Sequence, residues 1–343
     1  GIERLDRLAP DVHRVVLSSV ERGDATIAAS VLGDLRSWWW AAGRYADGQV
    51  LHTAADPLIT AWQPTTDDDR RLRLRALAAG IGTRPGFAAP ALRASDLETF
   101  IAVAHELPGA RGDLAWMRQM LSAGLTFTNV DMDRAVGLAR DAVRSARADH
   151  DQWVEAWGLY ALGIAIGRTD PAEGLSFLDQ SVETFDRVGD RLNAARVLMF
   201  LGHGIRIFGD ARGSDDAFAR AEQWCVELGA APVTQLDCAL GRAQSADVGG
   251  ATEQAASLYR RLVPQLTALG DIRCAAVAQR NLGAILLSNG DVDGAGALAT
   301  RALQTFRELD GEDAELGTTQ LLRGEIALTR SQLDLAARLC GRA

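Results

Sequence analysis

Asn281-Leu282-Gly283, followed by Gly290-Asp291, Ala295, Ala302-Leu303 and Phe306, is one rung of a ladder that runs through most of the 343-residue chain. The same glycine recurs in Ala123-Gly124, Leu162-Gly163, Leu201-Gly202, Leu240-Gly241 and Arg323-Gly324, with spacings of 39, 39, 39, 42 and 41 residues in chain order. With 34 Gly in the chain a random position is glycine about one time in ten, so six in register, four of them after leucine, mark an internal repeat. A second ladder runs beside it. Val188-Gly189-Asp190, Leu228-Gly229-Ala230, Leu269-Gly270-Asp271 and Leu309-Asp310-Gly311 recur at 40 or 41 residues. They carry the Gly or Asp expected where a helix ends and a turn begins.

Between the ladders the apolar residues keep helical spacing. Trp153, Trp157, Tyr160, Ala161 and Ile164 recur at three and four, and Leu175, Leu178, Val182 and Phe185 do the same in the next segment. Each repeat is therefore predicted to be a pair of helices, with Pro171 early in a second helix, where its missing N–H costs little. No stretch alternates as a strand would. The predicted fold is all-α: a superhelix (α-solenoid) of about eight helical hairpins.

The N-terminal third, 1–113, repeats less cleanly. A helix is expected around Val12 to Val20, broken at Gly23-Asp24, a second from Ile27 to Ala42, broken at Gly43, and a third through Ile59. Gln63 to Asp69 and Gly82 to Gly86 read as loops, Ala79-Gly80 as an earlier rung, and Pro108 to Asp113 as the loop closing that unit. None is long enough for a domain linker, so 1–343 is read as one continuous domain with regular repeats of about 40 residues over 114–343.

Composition removes whole chemistries. Hydrophobic residues make up 48%, enough for a large core, yet no apolar run approaches the roughly 18 residues of a membrane span, and neither a membrane span nor a signal peptide is expected. All 36 basic residues are Arg, which excludes a Walker A lysine, a Schiff-base lysine and a Ser-x-x-Lys pair. A net charge of -9 argues against direct nucleic-acid binding, which needs a basic face. Cys225, Cys238, Cys274 and Cys340 lack Cys-x-x-Cys spacing and are expected to be reduced core thiols, as in a cytoplasm.

No catalytic residue, metal site or cofactor is assigned. His13, His52, His105, His150 and His203 form no His-x-x-x-His pair, and there is no Gly-x-Ser-x-Gly elbow. Asp67-Asp68-Asp69 reads as helix N-terminal charge ahead of a cation site. Trp38, Trp39 and Trp40 fan over about 200° of a helix, so either helices bury them from both sides or one projects toward a partner. Gly1 in place of Met, and a finish just after an amphipathic stretch, are read as the ends of a fragment of a larger protein. Leu333, Leu335, Ala336 and Leu339 form an apolar stripe with nothing downstream to cover it, which points to self-association or to covering by further chain.

The rung at Asn281-Leu282-Gly283 resembles a tetratricopeptide repeat, with a period of about 40 in place of 34. Together with Asp11-Val12-His13-Arg14-Val15-Val16, Val20-Glu21-Arg22-Gly23-Asp24 and Leu35 to Gly48, it resembles the C-terminal helical region of large actinobacterial signalling (STAND) ATPases and transcription activators of the LuxR and antibiotic regulatory protein types. That group has Asn-Leu and Glu-Gly where this chain has Val12-His13 and Asp47-Gly48. The resemblance implies a sensor or interaction arm with no catalytic residue, in a protein whose ATPase and DNA-binding modules lie outside this chain.

In such a stack, first-helix positions free of packing line the concave face. Read from the glycine ladder, they include Arg118, Trp157, Tyr160, Arg196, Met199, His203, Arg206, Gln235, Arg242 and Arg280. Five of the 24 positions read this way are Arg and one is acidic, against about 2.5 and 3.1 expected from composition. Such a face suits a peptide, protein or small anionic effector. The competing reading is that these arginines pair with Asp and Glu of neighbouring helices. Two further classes stay open: a stand-alone interaction scaffold, and an enzyme-like small-molecule site in the groove.

Overall fold

A computed structural model describes residues 7–35, 38–39, 45–82, 94–108, 110–309 and 313–341. Among them are seventeen helices and no strand: α1 Ala9–Arg22, α2 Ala25–Asp34, α3 Tyr45–Ala61, α4 Asp67–Gly82, α5 Ala94–Glu106, α6 Arg111–Phe127, α7 Met132–Ala148, α8 Gln152–Ile166 and α9 Pro171–Arg187, then α10 Arg191–Ile207, α11 Ala211–Glu227, α12 Pro232–Val248, α13 Thr252–Ala268, α14 Ile272–Ser288, α15 Val292–Glu308, α16 Asp313–Thr329 and α17 Leu333–Cys340. They form two compact units. The first comprises Gly1–Gly204 with Gln223–Ala231, the second Ile205–Glu222 with Pro232–Ala343.

Both ladders have physical causes. The helix-end glycines Gly189, Gly229 and Gly270 adopt φ of +79°, +64° and +79°, the left-handed conformation that closes a helix. Aspartates then start the next helix: Asp151, Asp170, Asp271 and Asp291 each accept the backbone N–H three residues on, at 2.9 to 3.1 Å. Pro171 occupies the first turn of α9, as its spacing predicted. The mid-helix glycines answer to packing. A Cβ at Gly163 would stand 2.8 Å from the Leu178 side chain, and one at Gly324 would stand 2.7 Å from Cys340 Sγ.

Packing is close because the facing residues are small. On α7, Ala135, Ala139, Ala142 and Ala146 are all buried at a spacing of four, three and four. The larger anchors Trp39, Phe185, Phe218, Tyr259 and Phe306 fill what remains, each contributing roughly 1.5–3 kcal/mol of apolar burial. Trp38 joins Trp39 in the core, with ring centroids 4.5 Å apart, so the buried alternative holds for both. Trp40 lies outside the described residues, as do 83–86 of the expected glycine loop.

Several boundaries differ from the sequence reading. Asp67 to Asp69 belong to the first turn of α4, where Thr66 accepts the Asp69 backbone N–H at 3.1 Å and donates to its carboxylate at 2.8 Å. Arg111, Gly112 and Asp113 likewise begin α6. Composition marks both stretches as loop because capping residues and loop residues are the same types, whereas the reading of Asp67 to Asp69 as helix N-terminal charge agrees with their place in α4. Cys225 and Cys238 are buried thiols as expected, Cys274 is half-buried, and Cys340 is exposed because it follows the last buried turn of α17. The stripe on α17 is partly covered after all. Ala336 is buried and Leu335 and Leu339 half-buried where α17 packs on α16, which leaves Leu333 exposed.

Candidate functional site

Tyr160 is buried and the other nine candidate groove residues are half-buried, so none stands free in solvent. The first unit holds Arg118, Trp157, Tyr160, Arg196, Met199 and His203, and the second holds Arg206, Gln235, Arg242 and Arg280.

In the first unit α8 and α10 build an aromatic floor. Trp157 meets Phe185, Tyr160 and Trp153 edge-on at centroid distances of 5.3, 5.7 and 6.2 Å, and Tyr160 meets Phe200 at 5.2 Å. Trp157 Nε1 is buried with no hydrogen-bond partner. Burial raises the Tyr160 phenol pKa above its ordinary value, and the charge of Arg196 opposes that shift. Arg196 thus stands beside the floor, its Nη1 donating to Asn193 Oδ1 at 3.2 Å. Met199 and His203 follow it three and seven residues later, on the same side of α10. Arg118 sits elsewhere in its function: Nη2 donates to His105 Nε2 at 2.8 Å and Nη1 to Ser145 Oγ at 3.3 Å, tying α6 to α5 and α7.

In the second unit the pairing alternative governs two arginines. Arg242 directs Nε to Asp215 Oδ1 at 3.0 Å and Nη1 to Glu222 Oε2 at 2.9 Å, and these bonds raise its pKa. Arg280 pairs with Glu315 and donates to Asn281 Oδ1 at 3.2 Å. Arg206 differs. Burial lowers its pKa, with Tyr259 and Asp247 acting in the opposite direction. Gln235 is half-buried on α12.

Three groups escaped the sequence reading. Arg75 forks onto Asp113 at 2.8 and 3.1 Å while its Nη1 reaches Asp34 at 3.0 Å, joining α4 to α6 and α2. The partners lie 38 and 41 residues away, and no local spacing announces them. Asp237, Asp271 and Cys274 place one donor atom each within 4.8 Å of one another, the one such group among the described residues. Those donors also serve one another: Asp271 accepts the Cys274 backbone N–H, and Cys274 Sγ donates to Asp237 Oδ1 at 3.3 Å. The third is His52, 8% exposed, which lines a cavity of about 800 Å³ between α3, α4 and α5.

The fold is tetratricopeptide-like. The Rap protein complexed with competence and sporulation factor is similar over 91% of this chain and 85% of its own, at a TM-score of 0.63 and 11% identity. NprR in complex with its cognate peptide NprX is similar over 73% of each chain, at 0.53 and 15%. A signal transduction ATPase with numerous domains and a tetratricopeptide repeat sensor, from Pyrococcus horikoshii, is similar over 97% of this chain at 0.57 and 10%. This chain spans 52% of that protein's length. No protein-family model matches the chain, and no curated protein sequence matches it either. Among the described residues, no helix of this tetratricopeptide-like chain is long and apolar enough to cross a membrane.

Proposed function

We propose that this chain is the effector-sensing arm of a cytoplasmic bacterial regulator, a signalling ATPase or transcription activator of the LuxR or antibiotic regulatory protein type, and performs no chemistry itself. In that reading the ATPase and DNA-binding modules belong to the same full-length protein. The observation that carries it is the α8–α10 arrangement, where Arg196 stands beside the aromatic floor of Trp157 and Tyr160. A guanidinium next to aromatic faces receives a carboxylate while the rings take an apolar side chain, the chemistry of an acidic or C-terminal peptide group. Of the proteins of similar fold, NprR is in complex with its cognate peptide, the Rap protein is in complex with competence and sporulation factor, and the signal transduction ATPase has a tetratricopeptide repeat sensor, which supports the same assignment.

A peptide panel read by fluorescence anisotropy tests this. Acidic peptides with an apolar residue should bind, and binding should weaken with salt because exposed charges are screened over about 8 Å at physiological ionic strength. Arg196→Ala and Trp157→Ala should each weaken it with the chain still folded by circular dichroism. Binding indifferent to both substitutions, or no binding from any peptide, would overturn the reading. The regulator context is checked separately: the full-length coding sequence should include an ATPase or DNA-binding module, and repeats alone would favour a scaffold.

A further inference from the structure

In five of the six rungs of the glycine ladder the residue before the glycine is apolar, and Leu162, Leu201, Leu240 and Leu282 are buried there. The sixth rung puts Arg323 at that position, well inside α16. Arg323 is half-buried, yet among the described residues its side chain makes no hydrogen bond and no ion pair, unlike the half-buried Arg75, Arg118, Arg242 and Arg280. Its own helix offers it no partner, since the residues three and four positions away are Thr319, Gln320, Ile326 and Ala327. None of its nitrogens is closed off from water. Taking a guanidinium partly out of water without giving it an acceptor is unfavourable, and the repeat itself asks only for leucine at this position.

Arg323 lines a cavity of about 460 Å³ between α15 and α16, a volume in the small-molecule range. Arg307 lines the same cavity from α15, and its side chain is likewise without a hydrogen bond or ion pair among the described residues. The lining holds one carboxylate, Glu308, whose Oε1 already accepts from the Gln304 amide at 2.8 Å. The Thr300 hydroxyl is engaged as well, donating to the Gly296 carbonyl at 2.8 Å, and Leu303 supplies an apolar floor. Two unengaged guanidiniums therefore outnumber one engaged carboxylate. In a chain of net charge -9 this local excess of positive charge runs against the composition.

We propose that this cavity binds a small organic dianion, a phosphate monoester or a dicarboxylate, through Arg323 and Arg307. The guanidinium fork matches the oxygens of a phosphate and of a carboxylate alike. Two like charges lining one cavity are both compensated only by a ligand that brings two negative charges, and the body of the ligand rests on Leu303. An amine is disfavoured because the two arginines repel it and the one lining carboxylate is already held by Gln304. The site shares no residue with the Trp157–Arg196 face and stands or falls apart from it.

Calorimetry on the whole chain at pH 8 tests this with glycerol phosphate and succinate, set against acetate and glycerol as the singly charged and neutral controls. At least one dianion should bind, about tenfold or more tighter than acetate, and added salt should weaken it. Arg323→Leu, which restores the residue of the other rungs, should abolish binding with the melting temperature unchanged or raised. Arg307→Gln, at an exposed position, should weaken it about tenfold, as the loss of one charge-assisted contact implies. Arg301→Gln, at an exposed position of α15 outside the cavity lining, and Arg196→Ala should leave it unchanged. Binding of glycerol phosphate alone assigns the site to phosphate monoesters, and binding of succinate alone assigns it to dicarboxylates. No dianion binding at millimolar concentration, acetate binding as well as the dianions, or binding indifferent to both Arg323→Leu and Arg307→Gln would overturn the proposal.

Discussion

Trp153 donates its indole N–H to Asp190 Oδ2 at 2.7 Å, across 37 residues of sequence. The same carboxylate accepts the Asn193 backbone N–H at 3.2 Å and the Asn193 amide at 2.7 Å. Asn193 in turn accepts from Arg196. One aspartate therefore starts α10, pins α8 to it and sets the residue that holds the candidate binding arginine.

Removing that aspartate should cost more than removing its distant partner. Asp190→Ala loses the helix-start bond and strands the indole N–H, for an expected 2–3 kcal/mol or so, whereas Trp153→Phe loses one hydrogen bond, about 1 kcal/mol, plus some packing. Urea melts of the two variants should differ in midpoint in that order. Equal losses would mean that the carboxylate contributes only through the indole.

The glycine ladder is not uniform in its demands. A Cβ at Gly241 would stand 2.3 to 2.5 Å from three ring atoms of Phe218, while one at Gly283 would find its nearest atoms at 3.4 to 3.5 Å. Gly241→Ala should destabilise by about 1–3 kcal/mol through overpacking. Gly283→Ala should be neutral or stabilising by up to about 1 kcal/mol, since alanine is the better helix former. Thermal melts of both variants decide it, and equal effects would contradict the packing account.

Arg280 and Arg242 are paired to different depths. The Arg280 side chain is 13% exposed beside Glu315, and that of Arg242 is 38% exposed beside Asp215 and Glu222. Arg280→Ala should therefore lower stability by roughly 1–3 kcal/mol, because it leaves a half-buried carboxylate uncompensated, and Arg242→Ala by about 1 kcal/mol or less. The loss at Arg242 should shrink in high salt and that at Arg280 should persist.

Burial and the neighbouring Asp271 push the Asp237 carboxyl from its ordinary 3.8 up to about 7. The folded chain then holds this proton where the unfolded chain has released it. The resulting stability is complete below about pH 4 and is lost as pH rises through about 7. Asp237→Asn keeps an oxygen acceptor for Cys274 without the charge. It should raise the melting temperature at pH 8, by an amount corresponding to up to about 4 kcal/mol, and change little at pH 4. No gain at pH 8 would show that the site relaxes or hydrates when ionised.

Much of the fold was legible along the chain, and less of the site. The helix ends at Gly189, Gly229 and Gly270 could be read because a left-handed cap needs glycine wherever it occurs, and the hairpin at Pro171 because proline suits a first turn. The loop assignment fails at Arg111 to Asp113 and at Asp67 to Asp69, where capping chemistry resembles loop chemistry, although the helix N-terminal charge of the three aspartates is legible. Spacing puts Trp157, Tyr160 and Arg196 on successive first helices, and the structure sets Trp157 against Tyr160 and Tyr160 within the field of Arg196. It could not say that Arg242 and Arg280 would find carboxylates 20 to 35 residues away.

The sequence by itself determined an all-α chain of repeated hairpins, because periodicity, capping and the exclusion of a Cβ act within a turn or two, or recur at a fixed interval. Only the tertiary structure decided which arginines are engaged, where Asp237 and Asp271 confront each other, and that Arg307 and Arg323 line one cavity. Those outcomes depend on how helices distant in sequence are rotated and set against one another. A rotation of one residue, about 100°, exchanges a buried partner for open solvent.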